Sequence, residues 1–300
     1  MRIAHLSDVH VLDLTGVKRR QFLNKRISGL ANVMGSRKAA HPTYLLEAAV
    51  AGLLEAPVDH VVITGDLSNL ALDSEFRRAR EILAPLADTG NLSVIPGNHD
   101  IYTRGSARKQ RFEKWFGDLM WPEGTPADER VYPWFKDLGR IKIAGFNSAR
   151  PRLPLMATGT VGKAQIQRLV ETLGKTHDLK VGHTFALVHH NMHPRGWRKD
   201  RMHGLSDRDA FVDACATAGV RTILHGHTHV AHRFTSKGVE IIGCGSSTWA
   251  SEHPSHRARY NVYTFDEANI MQTEVRIWQP AEKRFVPTTS VPIVEPAGII

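Results

Sequence analysis

The sequence predicts an α/β fold in which two β-sheets pack together between flanking helices. Three observations point to it. Five short apolar runs, rich in branched residues and stopped by Gly, Pro or a polar motif, read as buried strands; they cover residues 3–7, 61–64, 92–95, 185–188 and 222–224. Amphipathic helical stretches lie between them. Further strand patterns at 141–146, 260–265 and 273–278 read as a second sheet.

The helices follow from local signals. Pro42 at the first helical position precedes an apolar helical pattern over 44–55. Residues 74–86 and 163–173 are amphipathic. Residues 206–218 open with Ser206-x-x-Asp209, like a capping box. Another apolar run, Ile241-Ile242-Gly243-Cys244-Gly245, reads as a strand. The tail 287–300 is Pro-rich and is expected to be loosely ordered, which leaves one domain over 1–286.

Each of the five strands ends in a chemically useful motif. In order these are Asp8-Val9-His10, Gly65-Asp66, Gly97-Asn98-His99-Asp100, His189 and Gly226-His227-Thr228-His229. Chemistry in layered α/β folds gathers at the carboxyl ends of strands, so the motifs should converge. In extended chain, residues two apart point to one side, so Asp8 with His10, and His227 with His229, can address one centre. Carboxylate, carboxamide and imidazole without thiolate suit two divalent ions such as Mn²⁺, Fe²⁺ or Zn²⁺. A lone carboxylate between two ions must bridge them, and Asp66 is placed to do so. Two ions a few ångströms apart are the usual clamp for phosphoryl-ester hydrolysis.

These motifs together resemble the calcineurin-like metallophosphoesterase superfamily, over roughly residues 1–230 and with no ligand position missing. The resemblance implies the four-layer metallophosphoesterase sandwich. It implies one metal held by Asp8, His10, Asp66 and His229, and the other by Asp66, Asn98, His189 and His227. It also implies a bridging hydroxide as nucleophile, His99 facing the leaving oxygen, and Asp100 orienting His99. Manganese is the first expectation for both ions.

Composition adds bounds. The formal net charge is +9, from 39 basic and 30 acidic side chains, which favours anionic partners. No run of about 18 apolar residues suggests a membrane span, and the first strand begins too early to leave room for a signal peptide. Cys215 and Cys244 read as reduced core thiols of a cytoplasmic protein. Of seventeen histidines, those outside the motifs need no metal to explain them.

Two basic segments are extra to the metal core. In 17–38, Phe22, Leu23, Ile27, Leu30, Val33 and Met34 fall at helical intervals among Lys18, Arg19, Arg20, Lys25, Arg26, Arg37 and Lys38. Such a segment suits a lid over a lipid-like substrate or contact with an anionic membrane surface, from the cytoplasmic side; it equally suits a helix packed on its own domain. In 194–203, Arg195, Arg198, Lys199 and Arg201 follow His189; they suit charge-assisted contacts to a second phosphate or a diphosphate, or an ordinary basic surface loop.

For substrate, Phe22-Leu23-x-Lys25-Arg26-x-x-Gly29-x-x-Asn32, with Leu72-Asp73-Ser74-Glu75-Phe76, is similar to the chlamydial-type UDP-2,3-diacylglucosamine pyrophosphatases of lipid A synthesis. That resemblance implies a lipidated nucleotide sugar cut at its pyrophosphate, with Phe22, Lys25 and Arg26 contacting it. The alternatives are a class III-type cyclic-nucleotide phosphodiesterase, a nuclease, and a non-catalytic scaffold or lipid-surface module. Nucleic acid is disfavoured because no aromatic stacking platform is interleaved with the basic residues.

Overall fold

A computed structural model describes residues 1–22, 26, 27, 29, 40–174 and 182–288. Most of the basic segment at 17–38, Lys25 included, lies outside the described residues, as does 289–300 of the expected tail.

Among the described residues, twelve strands form two six-stranded sheets. The first sheet holds β1 (Arg2–Leu6), β2 (His60–Ile63), β3 (Leu92–Val94), β10 (Arg259–Phe265), β11 (Met271–Gln279) and β12 (Arg284–Thr288), in the order β12-β11-β10-β1-β2-β3. The second holds β4 (Trp134–Asp137), β5 (Ile141–Gly145), β6 (His183–Leu187), β7 (Thr222–His225), β8 (Ala231–Ser236) and β9 (Val239–Cys244), ordered β4-β5-β6-β7-β9-β8. Strands β1, β2 and β3 run parallel, as do β5, β6, β7 and β9. The helices between them include α1 (Thr43–Glu55), α2 (Asp73–Ala87), α3 (Arg104–Arg108), α4 (Arg111–Phe116), α5 (Lys163–Leu173), α6 (Trp197–His203) and α7 (Arg208–Thr217).

One expectation is corrected here. The patterns at 141–146, 260–265 and 273–278 do not share a sheet. β10 pairs antiparallel with β1, and β5 pairs parallel with β6. Apolar periodicity marks a strand but carries no information about its partner.

The layering is written in the second sheet's alternation. Ile143, Phe185, Leu187, Leu224 and Ile242 join the larger apolar cluster, shared with the first sheet. Their neighbours Ala144, Ala186, Val188, Ile223 and Ile241 join the other cluster, with Leu169 of α5 and Phe211 and Val212 of α7. Successive strand residues face opposite sides, so a sheet buried on both faces reads as an unbroken apolar run. Helices α1 and α2 cover the first sheet through Leu45, Leu46, Phe76 and Leu83. The result is helix, sheet, sheet, helix.

Three local details differ from the sequence reading. Pro42 is the N-cap of α1. The box at Ser206-x-x-Asp209 does not form: Asp207 is the N-cap of α7 and caps nothing with its side chain. Its carboxylate instead accepts from the Val161 and Gly162 amides and the Thr160 hydroxyl. β12 runs two residues into the expected tail, pairing Pro287 with Arg276 and Thr288 with Val275. β12 is an edge strand, where proline's missing N–H is tolerated.

Glu75, in the first turn of α2, is buried. One carboxylate oxygen accepts from the Leu70 and Leu72 amides. Burial pushes this carboxyl from 4.5 up to about 8. The folded state therefore holds the proton more tightly than the unfolded chain. The stabilisation is complete below the unfolded value and is lost as pH rises through about 8. Glu75→Gln should flatten that part of the pH–stability curve; urea midpoints between about pH 5 and about pH 9 check it.

Candidate metal centre

The motifs converge where the C-terminal ends of β1, β2 and β3 in one sheet face those of β6 and β7 in the other. Sequence reasoning placed Asp8 with His10, and His227 with His229, on one side of extended strands. The structure has no extended chain there. Asp8, His10, Asp66, His227 and His229 have φ of 52°, 46°, 56°, 74° and 59°. These are left-handed turns, each costing about 1–3 kcal/mol for a non-glycine residue. The turns persist because their backbones are cross-tied. The Asp8 amide donates to Gly65 O (3.1 Å) and the His10 amide to Asp66 O (2.9 Å). The His227 amide donates to the Asp8 carboxylate at 3.0 Å.

Gly65, at φ 93°, and Gly97 touch across the site. A Cβ on Gly65 would lie 2.6 Å from Gly97 N and 2.8 Å from His189 Nδ1, and a Cβ on Gly97 would overlap the Asp66 carboxylate. Both positions need glycine for close approach.

The side chains form two groups that share Asp66. In the first, His10 Nε2 lies 3.0 Å from His229 Nε2, and His229 Nε2 lies 3.3 Å from Asp8 Oδ1. In the second, Asn98 Oδ1 lies 3.0 Å from His189 Nε2 and 2.9 Å from His227 Nδ1. Asp66 Oδ2 stands between them, 3.7 Å from His10 Nε2 and 3.4 Å from His189 Nε2. Its other oxygen accepts the His99 amide at 2.8 Å.

Outer hydrogen bonds set which ring nitrogens face inward. His189 Nδ1 donates to Thr64 O (2.8 Å), which turns Nε2 to the centre. His227 Nε2 donates to His203 O (2.8 Å), which turns Nδ1 inward. Imidazole ligands are typically oriented this way. Burial, followed by neighbouring histidines, holds His10 and His227 well below the usual imidazole range, in the neutral form that binds metal.

The donor set fits two divalent cations. Ring nitrogens and carboxylate or carboxamide oxygens crowd within about 3–4 Å, with Asp8, His10, Asp66 and His189 buried and Asn98, His227 and His229 half-buried at the cavity floor. Without cations such a group repels itself. Asp8, His10, Asp66 and His229 would hold one ion, and Asp66, Asn98, His189 and His227 the other.

His99 lines the cavity over this centre. Its ring Nδ1 donates to Asn69 O at 2.7 Å. The expectation that Asp100 orients His99 is corrected. The buried Asp100 carboxylate accepts the Leu67, Ser68 and Gly97 amides and the Ser68 hydroxyl. It braces the Gly65-Asp66 and Gly97-Asn98 turns, and a main-chain carbonyl orients His99 instead.

The cavity holds about 840 Å³ and is lined, besides the centre, by Leu155, Met156, Arg195, Met202 and Trp249. Of the second basic segment, which forms the short helix α6, Arg195 reaches this lining. Arg198, Lys199 and Arg201 are exposed and do not line it. Phe22 packs, half-buried, on the main core. Arg26 is buried, with its guanidinium on Leu70 O (2.6 Å) and Ala71 O (2.7 Å). It is not part of a solvated basic face, because the turn it braces has carbonyls that need donors. It does line a second cavity of about 800 Å³, which meets the first at Tyr102 and Met156 and carries Arg104, Arg108, Lys109, Arg111 and Arg152.

Sequence reasoning missed His41, which is buried against His10 and His229. It sits alone before Pro42 and no spacing signals it. The family model described as calcineurin-like phosphoesterase matches residues 1–231. The chain belongs to the calcineurin-like phosphoesterase family. It is therefore a hydrolase of phosphoric esters, in a family that works with dinuclear metal centres.

Curated relatives include two named "probable cyclic nucleotide phosphodiesterase". One, from Vesicomyosocius okutanii, is 24% identical over 208 residues, covering 69% of this chain and 77% of that one. The other, from Ruthia magnifica, is 23% identical over 213 residues, covering 71% and 79%. Among solved structures, a dimetal phosphatase from Danio rerio superposes with a TM-score of 0.60 at 16% identity, covering 92% of this chain and 95% of that one. A purple acid phosphatase from yellow lupin also reaches 0.60, at 12% identity, covering 96% of this chain and 52% of that one. At such identities the structures show a shared fold. Among the described residues, no helix is long and apolar enough to cross a membrane.

Proposed function

We propose that the chain hydrolyses a pyrophosphate or phosphodiester bond in a large, anionic, amphiphilic substrate of the lipidated nucleotide-sugar kind. The observation that carries this reading is the shape and lining of the space over the candidate metal centre. Two adjoining cavities of about 840 and 800 Å³ exceed what a cyclic nucleotide fills. One is apolar at its rim and the other is basic. Leu153 and Leu155, 68% and 82% exposed, stand on the loop that borders both cavities, and Trp197 is 70% exposed on α6. Exposed leucine and tryptophan beside arginines suit the surface of an anionic bilayer.

Two divalent ions, manganese by first expectation, supply Lewis acidity and an ionised water when bound. The chain's own residues supply the rest. Asp66, backed by the His99 amide, sits between the two ligand groups. Asn69 O accepts from His99 Nδ1, and in the imidazolium form the ring would carry a second proton, on Nε2, for the leaving oxygen. Arg195 is placed to neutralise a second phosphate.

A second reading, cyclic-nucleotide phosphodiesterase, is favoured by the names of the two curated relatives. Turnover of UDP-2,3-diacylglucosamine in anionic vesicles against turnover of cyclic AMP separates the two. The lipid reading expects the first to dominate; efficient cyclic AMP hydrolysis with an inert lipid substrate would replace it. Changing Leu153 and Leu155 to serine should raise the apparent KM for the vesicle-borne substrate about tenfold or more, because burying a leucine is worth about 1.5–3 kcal/mol. Hydrolysis of a small soluble phosphodiester should be unaffected. Equal loss on both substrates would assign the loop to folding alone.

A further inference from the structure

We propose that His41 is an additional ligand of the first metal position, alongside Asp8, His10, Asp66 and His229. This rests on the dinuclear reading of the centre and is independent of the substrate. One ring nitrogen each from His10, His41 and His229 lies within 4.8 Å of the others. The His41 ring centroid is 4.6 Å from that of His10 and 5.3 Å from that of His229. Metal–imidazole bonds of about 2.0–2.1 Å put two ligands on one ion up to about 4.2 Å apart, so the three rings need only a small adjustment to share a cation.

The protonation pattern favours ligation. The Thr248 hydroxyl donates to Val9 O at 2.9 Å. Its single proton is used there, so towards His41 Nδ1, at 2.9 Å, it must accept. His41 therefore carries its proton on Nδ1, and Nε2 is the lone-pair nitrogen. Thr248 thus does for His41 what Thr64 O does for His189 and His203 O for His227: an outer partner fixes the tautomer. The same hydroxyl ties His41 to the backbone of the Asp8-Val9-His10 turn, so ring and ligands are positioned as one unit. His41 is 6% exposed.

A bland alternative is a core histidine kept for its bond to Thr248 and its packing on Trp249. It leaves unexplained why a third imidazole is packed against two inward-facing ligands. A third imidazole on this ion gives it three nitrogens and two carboxylates. It would then favour imidazole-preferring ions such as Fe²⁺, Co²⁺ or Zn²⁺ over Mn²⁺, relative to the second position.

The test is metal binding by the full chain, read by calorimetry with Co²⁺ and Mn²⁺ and by the visible spectrum of the Co²⁺ form. His41→Ala removes the ring. His41→Asn keeps an amide N–H close to the Nδ1 position, where it can still donate to Thr248. Both variants should bind one of two Co²⁺ ions about 10–100-fold more weakly, the scale seen when a ligand's environment is lost. They should lose less for Mn²⁺, and the Co²⁺ absorption should change at one equivalent. Unchanged affinities and spectra in both variants would overturn the proposal. So would weakening in His41→Ala with none in His41→Asn, which would reduce His41 to a brace. A wild-type chain that binds fewer than two ions would sink the dinuclear reading, and this ligand with it; failure on the lipid substrate touches neither.

Discussion

Asp66→Asn should remove nearly all activity and lower the occupancy of both metal positions. The carboxylate has two jobs at once. Oδ1 accepts the His99 amide, while Oδ2 faces His10 and His189 from between the two ligand groups. An amide can do only one of these. If its oxygen accepts the His99 amide, its NH2 points at the cations and cannot ligate them. If it turns round, two N–H groups meet at His99. The charge that offsets two ions is lost in either case. The expected fall in kcat is on the order of 10³ or more, since metal Lewis acidity is worth several kcal/mol of transition-state stabilisation. Metal analysis of the purified variant checks the cause. Two ions per chain at full activity would remove Asp66 from the bridging position.

His99→Ala should behave differently. It should keep both ions and lose about 10²–10⁴ in kcat, the usual worth of a positioned general acid. The structure separates the two effects because the contact His99 makes with Asp66 runs through its main-chain amide, which alanine retains. Its ring is tied to Asn69 O and lines the cavity. A substrate with a nitrophenolate leaving group needs little protonation, so the loss on it should be much smaller. Loss of metal, or equal impairment on good and poor leaving groups, would count against this role. Asp100→Asn offers a contrast. Four donors converge on the buried Asp100 carboxylate, so its replacement should lower the melting temperature with no special sensitivity to the leaving group.

Much of this centre was legible along the chain. Asp8, His10, Asp66, Asn98, His189, His227 and His229 each follow an apolar run, and buried strands declare themselves by composition whatever their partners. Gly65 and Gly97 stand beside Asp66 and Asn98 because two backbones must touch there, a demand that no other residue meets. Such signals are local, so a sequence carries them.

What lay beyond reach was relational. Whether 141–146 pairs with 183–187 or with 260–265 depends on long-range packing, which the two-residue period of a strand does not encode. Asp100 has the right neighbour to orient His99, yet turns back to bind the amides of Leu67, Ser68 and Gly97, because unpaired buried N–H groups cost more than a missing contact to a histidine. Arg26 looked like a surface charge and was drawn inward by the carbonyls of Leu70 and Ala71. His41 belongs to no motif and reaches His10 and His229 only because α1 begins beside the ends of β1 and β7. The sequence by itself determined the strands, the candidate ligands and the class of reaction. The tertiary structure alone decided which donors meet, which nitrogen each ring presents and what surrounds the cavity, because those depend on distances between residues far apart in the chain.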